Sequence, residues 1–448
     1  MSRLEILGAG GGEVTGSANL LTTRNGGKLL IDSGLCQGRQ ENDRYDRRNK
    51  NLNGLDPSEL DAVLITHGHL DHVGRLPLLA NTPAPIFMTP ATYDIAQIAL
   101  RNANSLSPGL YPKGSVEKVL QKTTRVPYDS TVAVDGVMVT FKDAGHILGS
   151  STLVIDEKGG ERIVFSGDLG NSPSRLVKPT ELIDGADIVV METTYGDRNH
   201  TEDSPVEVIM DAVERIKKNK GTLLLPSFAI DRTQVVLSIL KELSKNGKLG
   251  NIPVFLDSPM GIEVTRIYDS HHSLLNDEAK EKKDPFGFPG LTKTYSANES
   301  NSIHHRRGAK IIIAGSGMMA GGRILKHAEY YLQDKNSVLL FVGFAANDTL
   351  GRMIMEGERE LKVGENHIFV NGTVLGTSAL SAHADQNQLL DWVRHIKGGN
   401  KRLRSVVLVH GNNNARNAFA ETVRSELQIN DVLSPNEREV IDFDQNEH

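Results

Sequence analysis

The sequence predicts an α/β protein of two domains, one inserted into the other, and three observations carry that prediction. Short β-branched runs alternate with helix-period segments along the chain. At 448 residues the chain is past the size at which a single hydrophobic core stops growing. The apolar runs also differ in kind. Those early and late in the chain end in polar side chains, whereas those between 196 and 365 are near-continuous. The predicted divisions are therefore 1–195, 196–365 and 366–448, the first and last together forming one domain.

Taken in order, the N-terminal Met1-Ser2-Arg3-Leu4-Glu5-Ile6-Leu7 holds an acid within its short apolar stretch, so it does not read as a signal peptide. "GAGGGEVTGS" (Gly8 to Ser17) fails both nucleotide-binding patterns. Ser17 stands where a P-loop needs lysine, and Glu13 stands where Gly-x-Gly-x-x-Gly needs its last glycine. It reads as a strand-to-strand turn. "KLLIDSG" then ends near Asp32, "AVLITHGH" at His67, "FKDAGH" at His146, "IVFSGD" at Asp168, "IVVMETTYG" at Glu192 and "SVVLVHG" at His410. One polar strand end is commonplace. Six of them in one sheet system gather ligand-type side chains along an edge where α/β folds keep their sites.

In the middle, "GTLLLPSF" (Gly221 to Phe228), "NIPVFLDSP" (Asn251 to Pro259), "AKIIIAGSG" (Ala309 to Gly317) and "SVLLFVGF" (Ser337 to Phe344) look like parallel strands buried on both faces. Pro205 to Lys218 and Thr233 to Ser244 read as helices between them, and Asn276 to Gly290 as a loop.

Composition narrows the function classes. Apolar residues at 38% and charged residues at 24% fit a soluble globular protein, and no apolar run approaches the roughly 18 to 20 residues that span a bilayer. The single cysteine, Cys36, forms no internal disulfide and reads as a small core or loop residue, compatible with a cytoplasmic protein. A net charge of -6 gives no overall pull toward nucleic acid. The basic runs Arg44 to Lys50 and His304 to Lys310 read, taken alone, as solvated faces.

The densest chemistry is "ITHGHLDHVG" (Ile65 to Gly74), with His67, His69, Asp71 and His72 inside six residues. Imidazole nitrogens and a carboxylate at that spacing can wrap one or two small cations. With His146 and Asp168 added, the donor set suits zinc better than calcium or magnesium.

These residues resemble the metallo-β-lactamase superfamily, through "THGHLDHVG", "LLIDSG", "DAGHILGSS" and "FSGDLG". "METTYGDRNH", "PSFAIDRTQ", "DSPM", "GSGMMAGGR", "TLGR", "SAHAD" and "VHGN" are similar to its β-CASP branch of nucleases. The resemblance implies an αββα sandwich carrying an inserted β-CASP α/β domain with a mainly parallel sheet. It implies two zinc ions per chain, one on His67, His69 and His146, the other on Asp71, His72 and His410, with Asp168 bridging. Asp32 would orient the ligands and the attacking water, and Glu192 would hold His383 as proton donor to the leaving oxygen. Asp348 and Asn412 depart from the family pattern at positions that are not metal ligands.

Two divalent ions suit phosphodiester hydrolysis, and His383 suits protonation of the leaving group. "GSGMMAGG" follows a buried strand and precedes a helical segment, so Ser316, Gly317 and Met318 are candidate substrate contacts at a helix N-terminus, and Ser381 of "SAHAD" is a further candidate. Arg323 and Arg352 have two readings, phosphate contact or structural pairing. The expectation is a ribonuclease cutting single-stranded RNA, endonucleolytic with 5′ exonuclease action as a second mode, and a homodimer. Its rivals are a DNA nuclease, a non-catalytic processing subunit, and a metallohydrolase of small molecules. The complete ligand set argues against the non-catalytic subunit, and the inserted domain with His383 and His410 against the small-molecule enzyme.

Overall fold

The computed structural model describes residues 2–37, 47–201, 203–343, 345, 349–363 and 366–443. Asp348, Phe344 and the first part of the Arg44 to Lys50 run lie outside them. The chain divides into two compact units, Met1–Asn199 with Ala382–His448, and His200–Ser381.

In the first unit two seven-stranded sheets face each other. One runs in the order Val440–Asp442, Arg3–Gly8, Ala18–Thr22, Lys28–Ile31, Ala62–Leu64, Ile86–Met88, Thr123–Arg125. The other runs Asp431–Leu433, Ser405–Val409, Ile188–Glu192, Arg162–Phe165, Ser151–Glu157, Val137–Asp143, Thr131–Val134. Strand periodicity of two sorts the side chains into layers. Leu29, Ile31, Ala62 and Leu64 meet Phe141, Leu153, Phe165, Ile188 and Val190 in the core between the sheets. Their neighbours Leu30, Val63 and Ile65 turn outward onto Ala96, Leu100 and Ala103 of the helix Pro90–Leu106. On the other side Val189, Met191 and Val406 pack on Leu389, Trp392 and Val393 of Gln386–Lys397 and on Phe419 and Val423 of Asn413–Leu427. The result is four layers, αββα.

The second unit holds a six-stranded sheet in the order Leu291–Lys293, Val254–Asp257, Lys310–Ala314, Thr222–Pro226, Val338–Phe341, Thr373–Gly376. Every pairing in it is parallel. The four apolar runs form its centre, each strand buried throughout. The helices expected between them are Pro205–Asn219 and Arg232–Lys245. The expected loop from Asn276 contains one helical turn, Asp277–Lys280, capped by the Asn276 side chain.

One expectation is corrected. The second boundary falls at 381/382 rather than 365/366, and the first at 199/200 rather than 195/196. Asn366–Phe369 pairs with Glu360–Val363, and Thr373–Gly376 extends the parallel sheet as an edge strand. Neither reads as a buried apolar run: Asn366–Phe369 is largely exposed, and Thr373–Gly376 is half-buried.

Candidate metal centre

The site is built where strands of the two facing sheets end. Lys28–Ile31 runs into Asp32, a buried residue at φ +62°, and Ala62–Leu64 runs into Thr66 and His67. His69 then caps a single helical turn, Leu70–Val73, which presents Asp71 and His72. Gly68 is needed between them, since a Cβ there would lie 2.5 Å from the Ile95 side chain of the packed helix. From the other sheet come His146, Asp168, Glu192 as the last residue of its strand, and His410 at φ +47° directly after Ser405–Val409. His383 sits in a short bridge to Gly170.

The donor atoms form three groups, each within 4.8 Å: His67, His69, His146 and Asp168; Asp71, His72 and His410; and Asp168, Glu192 and His383. Asp168 faces both imidazole groups. Its Oδ2 lies 3.4 Å from His67 Nε2 and 3.6 Å from His146 Nε2, while its Oδ1 lies 3.3 Å from His72 Nε2 and 3.8 Å from His410 Nδ1. His69 Nδ1 completes the first group, 3.1 Å from His67 Nε2 and 3.3 Å from His146 Nε2. Asp71 Oδ2 completes the second, 3.5 Å from His410 Nε2.

Polar partners on the far side of the rings set which nitrogen points inward. His72 Nδ1 donates to Asp32 Oδ2 at 2.8 Å, and His146 Nδ1 donates to the Ala382 carbonyl at 3.1 Å, so each presents the lone pair of Nε2. Thr66 Oγ1 lies 3.1 Å from His67 Nδ1, and Thr194 Oγ1 lies 3.1 Å from His410 Nδ1. Asp32 also accepts from the Thr66 amide and hydroxyl, both at 2.8 Å, which locks the carboxylate in place. Thr66, Thr194 and the Ala382 carbonyl are supporting groups that the sequence reading missed. Their only signal is adjacency to the motifs, in "THGH", "ETTYG" and "SAHAD".

Electrostatics and hydrogen bonding both fit a cation. Burial pushes the His67 and His146 imidazoles well below their usual range, and that of His69 down to about 4, so their lone pairs are available. Burial would also lower His72, but the carboxylates of Asp168 and Asp32 outweigh it and lift the ring well above, a sign that this pocket calls for positive charge. Burial opposes ionisation of Asp71, yet His410 and His72 hold it down to about 2. Asp168 Oδ1 is buried and, among the described residues, receives no hydrogen bond. A buried carboxylate oxygen without a donor, aimed at imidazole nitrogens, is what a metal ligand looks like in the protein alone.

Beside this centre, His383 Nδ1 lies 3.1 Å from both oxygens of Glu192. The buried Glu192 carboxylate also accepts from the amides of Leu169 and Thr194. Burial works against a charged His383, and Glu192 reverses it, carrying the ring up to about 9. The ring packs on His146 at 4.5 Å between centroids, and its side chain keeps 22% exposure, so the group is both held and reachable.

The remaining expected residues lie in the second unit, apart from Asn412. Ser316, Gly317 and Met318 turn from Lys310–Ala314 toward the helix Arg323–Tyr331, with Ser316 Oγ accepting from the Ala320 amide. Gly317 admits no side chain, since a Cβ there would sit 2.6 Å from the Phe228 ring. Arg323 donates to Asp257 Oδ1 at 2.6 Å and to the carbonyls of Thr294 and Tyr295, the structural pairing of its two readings. Arg352 likewise pairs with Glu356 at 2.7 Å on its own helix. Ser381 is buried, its amide donating to the Ser378 carbonyl. Asn412 accounts for itself locally: its side chain accepts from the Ala415 amide and caps Asn413–Leu427, a task that asparagine and aspartate share.

Comparison with known proteins agrees with this geometry. Residues 11–227 match the metallo-beta-lactamase superfamily, residues 233–354 the Beta-Casp domain, and residues 370–435 the Zn-dependent metallo-hydrolase RNA specificity domain. The chain is 34% identical to Ribonuclease TTHA0252 of Thermus thermophilus over 89% of its length and 91% of that protein. It is 29% identical to the RNase J-like protein of Methanocaldococcus jannaschii, over 90% of this chain and 91% of that one. A crystal structure of a protein of unknown function from Enterococcus faecalis shares the fold at TM-score 0.54 and 12% identity, covering 98% of this chain and 99% of its own. The chain therefore belongs to the metallo-β-lactamase superfamily of metal-dependent hydrolases, in the branch that carries an inserted β-CASP domain.

Proposed function

We propose that the protein is a zinc-dependent ribonuclease that hydrolyses phosphodiester bonds of single-stranded RNA, as an endonuclease with 5′ exonuclease action as a second mode. The observation that carries the reading is the two-sided Asp168, with imidazole groups at both of its oxygens and the His383–Glu192 pair beside it. The names of the two relatives, a ribonuclease and an RNase J-like protein, support RNA as the substrate class.

His67, His69, His146 and Asp168 would hold one zinc, and Asp71, His72, His410 and Asp168 the other. A zinc pair so held supplies neutralisation of phosphoryl charge and a water acidic enough to act as nucleophile near neutral pH. Asp32 keeps His72 in the tautomer that leaves Nε2 free. Asp71 adds the one carboxylate of the second group besides Asp168. Glu192 fixes His383 Nδ1–H, so Nε2–H is the proton that the ring gives to the leaving oxygen. Ser316, Gly317, Met318 and Ser381 are our candidates for substrate contacts in the second unit. Arg323 and Arg352 would act on substrate only by leaving or sharing their present carboxylate partners. The protein would work in the cytoplasm, as a homodimer.

The test is cleavage of 5′-labelled and internally labelled single-stranded RNA by zinc-loaded protein, beside His67→Ala, His383→Ala and a matched DNA. Zinc-dependent cutting of RNA that both variants lose is the expected result, and the label pattern separates endonuclease from exonuclease action. RNA left intact under every metal tried, yet still bound, would instead favour a non-catalytic processing subunit. Preferential cutting of DNA would replace RNA as the substrate.

A further inference from the structure

In the second unit a chain of polar contacts runs from a buried carboxylate to an exposed aromatic ring. Asp257, the last residue of its strand, accepts from His327 Nε2 at 2.7 Å and from Ser300 Oγ at 2.5 Å. The other nitrogen of His327 lies 3.1 Å from His304 Nε2. The His304 ring in turn lies flat on Tyr330, with centroids 4.3 Å apart and planes 3° from parallel, and Tyr330 Oη donates to the His304 carbonyl at 3.4 Å. Tyr331 closes edge-on against His304 at 5.6 Å. His327 is fully buried, whereas Tyr330 is 56% exposed. One face of the Tyr330 ring is thus covered by a histidine that the fold holds in place, while more than half of the residue meets solvent.

Cations stand close in sequence to both rings of the stack. Arg306 and Arg307 follow His305 directly, and Lys326 stands one helical turn before Tyr330 on Arg323–Tyr331, on the same face. All three are exposed, and none has a side-chain hydrogen bond or ion pair among the described residues. The nearby acids are engaged: Glu329 accepts from Asn366, and Glu299 accepts from the amides of Tyr295 and Ser296. On a chain of net charge -6, three exposed cations without acidic partners among the described residues thus gather in sequence about a rigid aromatic stack, with Glu329 beside it.

We propose that His304, Tyr330, Arg306, Arg307 and Lys326 form a contact site for single-stranded RNA, additional to the metal centre and the glycine-rich turn. A base stacks on the open side of Tyr330, and the three cations take the flanking phosphates. Every base has a π-face, so such a contact holds RNA without reading its sequence. Two arginines and a lysine without side-chain partners among the described residues, beside a stacking ring, match a polyanion with a π-face at every unit better than an acidic peptide. The proposal rests on the ribonuclease reading and names a second point of hold on the same substrate.

The test measures affinity of zinc-loaded full-length protein for a fluorescent, phosphorothioate-linked single-stranded RNA, which resists cleavage, across a salt series. Tyr330→Ala is expected to weaken binding by at least roughly fivefold, and Tyr330→Phe, which keeps the ring, to bind as the wild type does. Arg306→Glu with Arg307→Glu is expected to weaken binding and to flatten the dependence of log K on log salt by about 0.7 for each phosphate that is no longer neutralised. Thermal midpoints matching the wild type show that the variants fold. Wild-type affinity in Tyr330→Ala, or equal loss in Tyr330→Phe, would overturn the stacking site and leave the ribonuclease reading standing. No RNA affinity in the wild type would overturn both.

Discussion

With His383 as the proposed proton donor, its replacement by alanine should separate proton donation from metal binding by the other residues of the centre. The ring has two nitrogens, and Nδ1 faces both Glu192 oxygens at 3.1 Å, so Nε2 is the nitrogen assigned to protonating a leaving group. Positioned acids of this kind contribute about 10²- to 10⁴-fold, which is the loss expected in kcat on RNA, whose leaving alkoxide needs a proton. On bis(p-nitrophenyl) phosphate, whose leaving phenolate is stable without one, the same variant should lose less than about tenfold. Glu192→Gln breaks the charge-assisted bond that holds the ring. At about 1.5–3 kcal/mol that bond is worth roughly 10- to 100-fold on RNA, an effect smaller than that of His383→Ala. The assay compares kcat for both substrates in both variants at matched zinc content. Equal losses of His383→Ala on RNA and on the activated diester would refute the proton-donor role and assign the residue to metal or phosphate binding.

Three further outcomes follow from particular contacts. Chelation should abolish RNA cleavage and lower the unfolding midpoint, since a ligand present at about 1,000 times its Kd stabilises by about 4 kcal/mol; calorimetry with and without a chelator reads both ends. Gly68→Ala forces a Cβ to 2.5 Å from the Ile95 side chain and should cost about 1–3 kcal/mol in denaturant unfolding, with reduced zinc content because His67 and His69 shift with the loop. Asp257→Ala strips the partner from Arg323 and His327 and should destabilise by about 3–5 kcal/mol. Burial alone would raise the Asp257 carboxyl, but hydrogen bonds from His327, Ser300, Thr294 and Arg323 hold it well below the usual range. A folded pKa below the unfolded value of roughly 3.9 means this contribution is complete above that pH and withdrawn as pH falls further. The wild-type advantage over Asp257→Ala should therefore be constant from pH 7 to about 5 and shrink below about 4.

The sequence was most legible where chemistry is local. His67, His69, Asp71 and His72 share one loop, and the polar ends of apolar runs marked Asp32, His146, Asp168, Glu192 and His410 without any geometry. The central parallel strands were legible for a related reason, since burial on both faces leaves unbroken apolar runs. Edge strands were not: Leu291–Lys293 and Thr373–Gly376 are short and only partly buried, so no pattern distinguishes them from loops, and the second boundary moved with Thr373–Gly376. Partners across long separations were equally hidden. Nothing at Arg323 announces that Asp257 occupies its guanidinium, and nothing at Thr66 or Thr194 announces that each faces an imidazole. Asn412, which departs from the family pattern, has a local task as a helix cap.

The metal centre is completed late in the order of synthesis, because its candidate zinc ligands fall within residues 67–168 except for His410. His72 and His410 meet at 3.3 Å across 338 residues of chain, and the whole second unit lies between them. At roughly 5–20 residues per second, a ribosome needs on the order of 17–70 s to travel that distance. Throughout that interval the emerging protein lies beside the messenger that encodes it. An enzyme that acts on RNA would gain from being inert then, and with the roles proposed for His383 and His410 the site would stay incomplete until both follow the inserted unit out of the tunnel. The order of the chain would thus hold back the nuclease until its own message has almost been read.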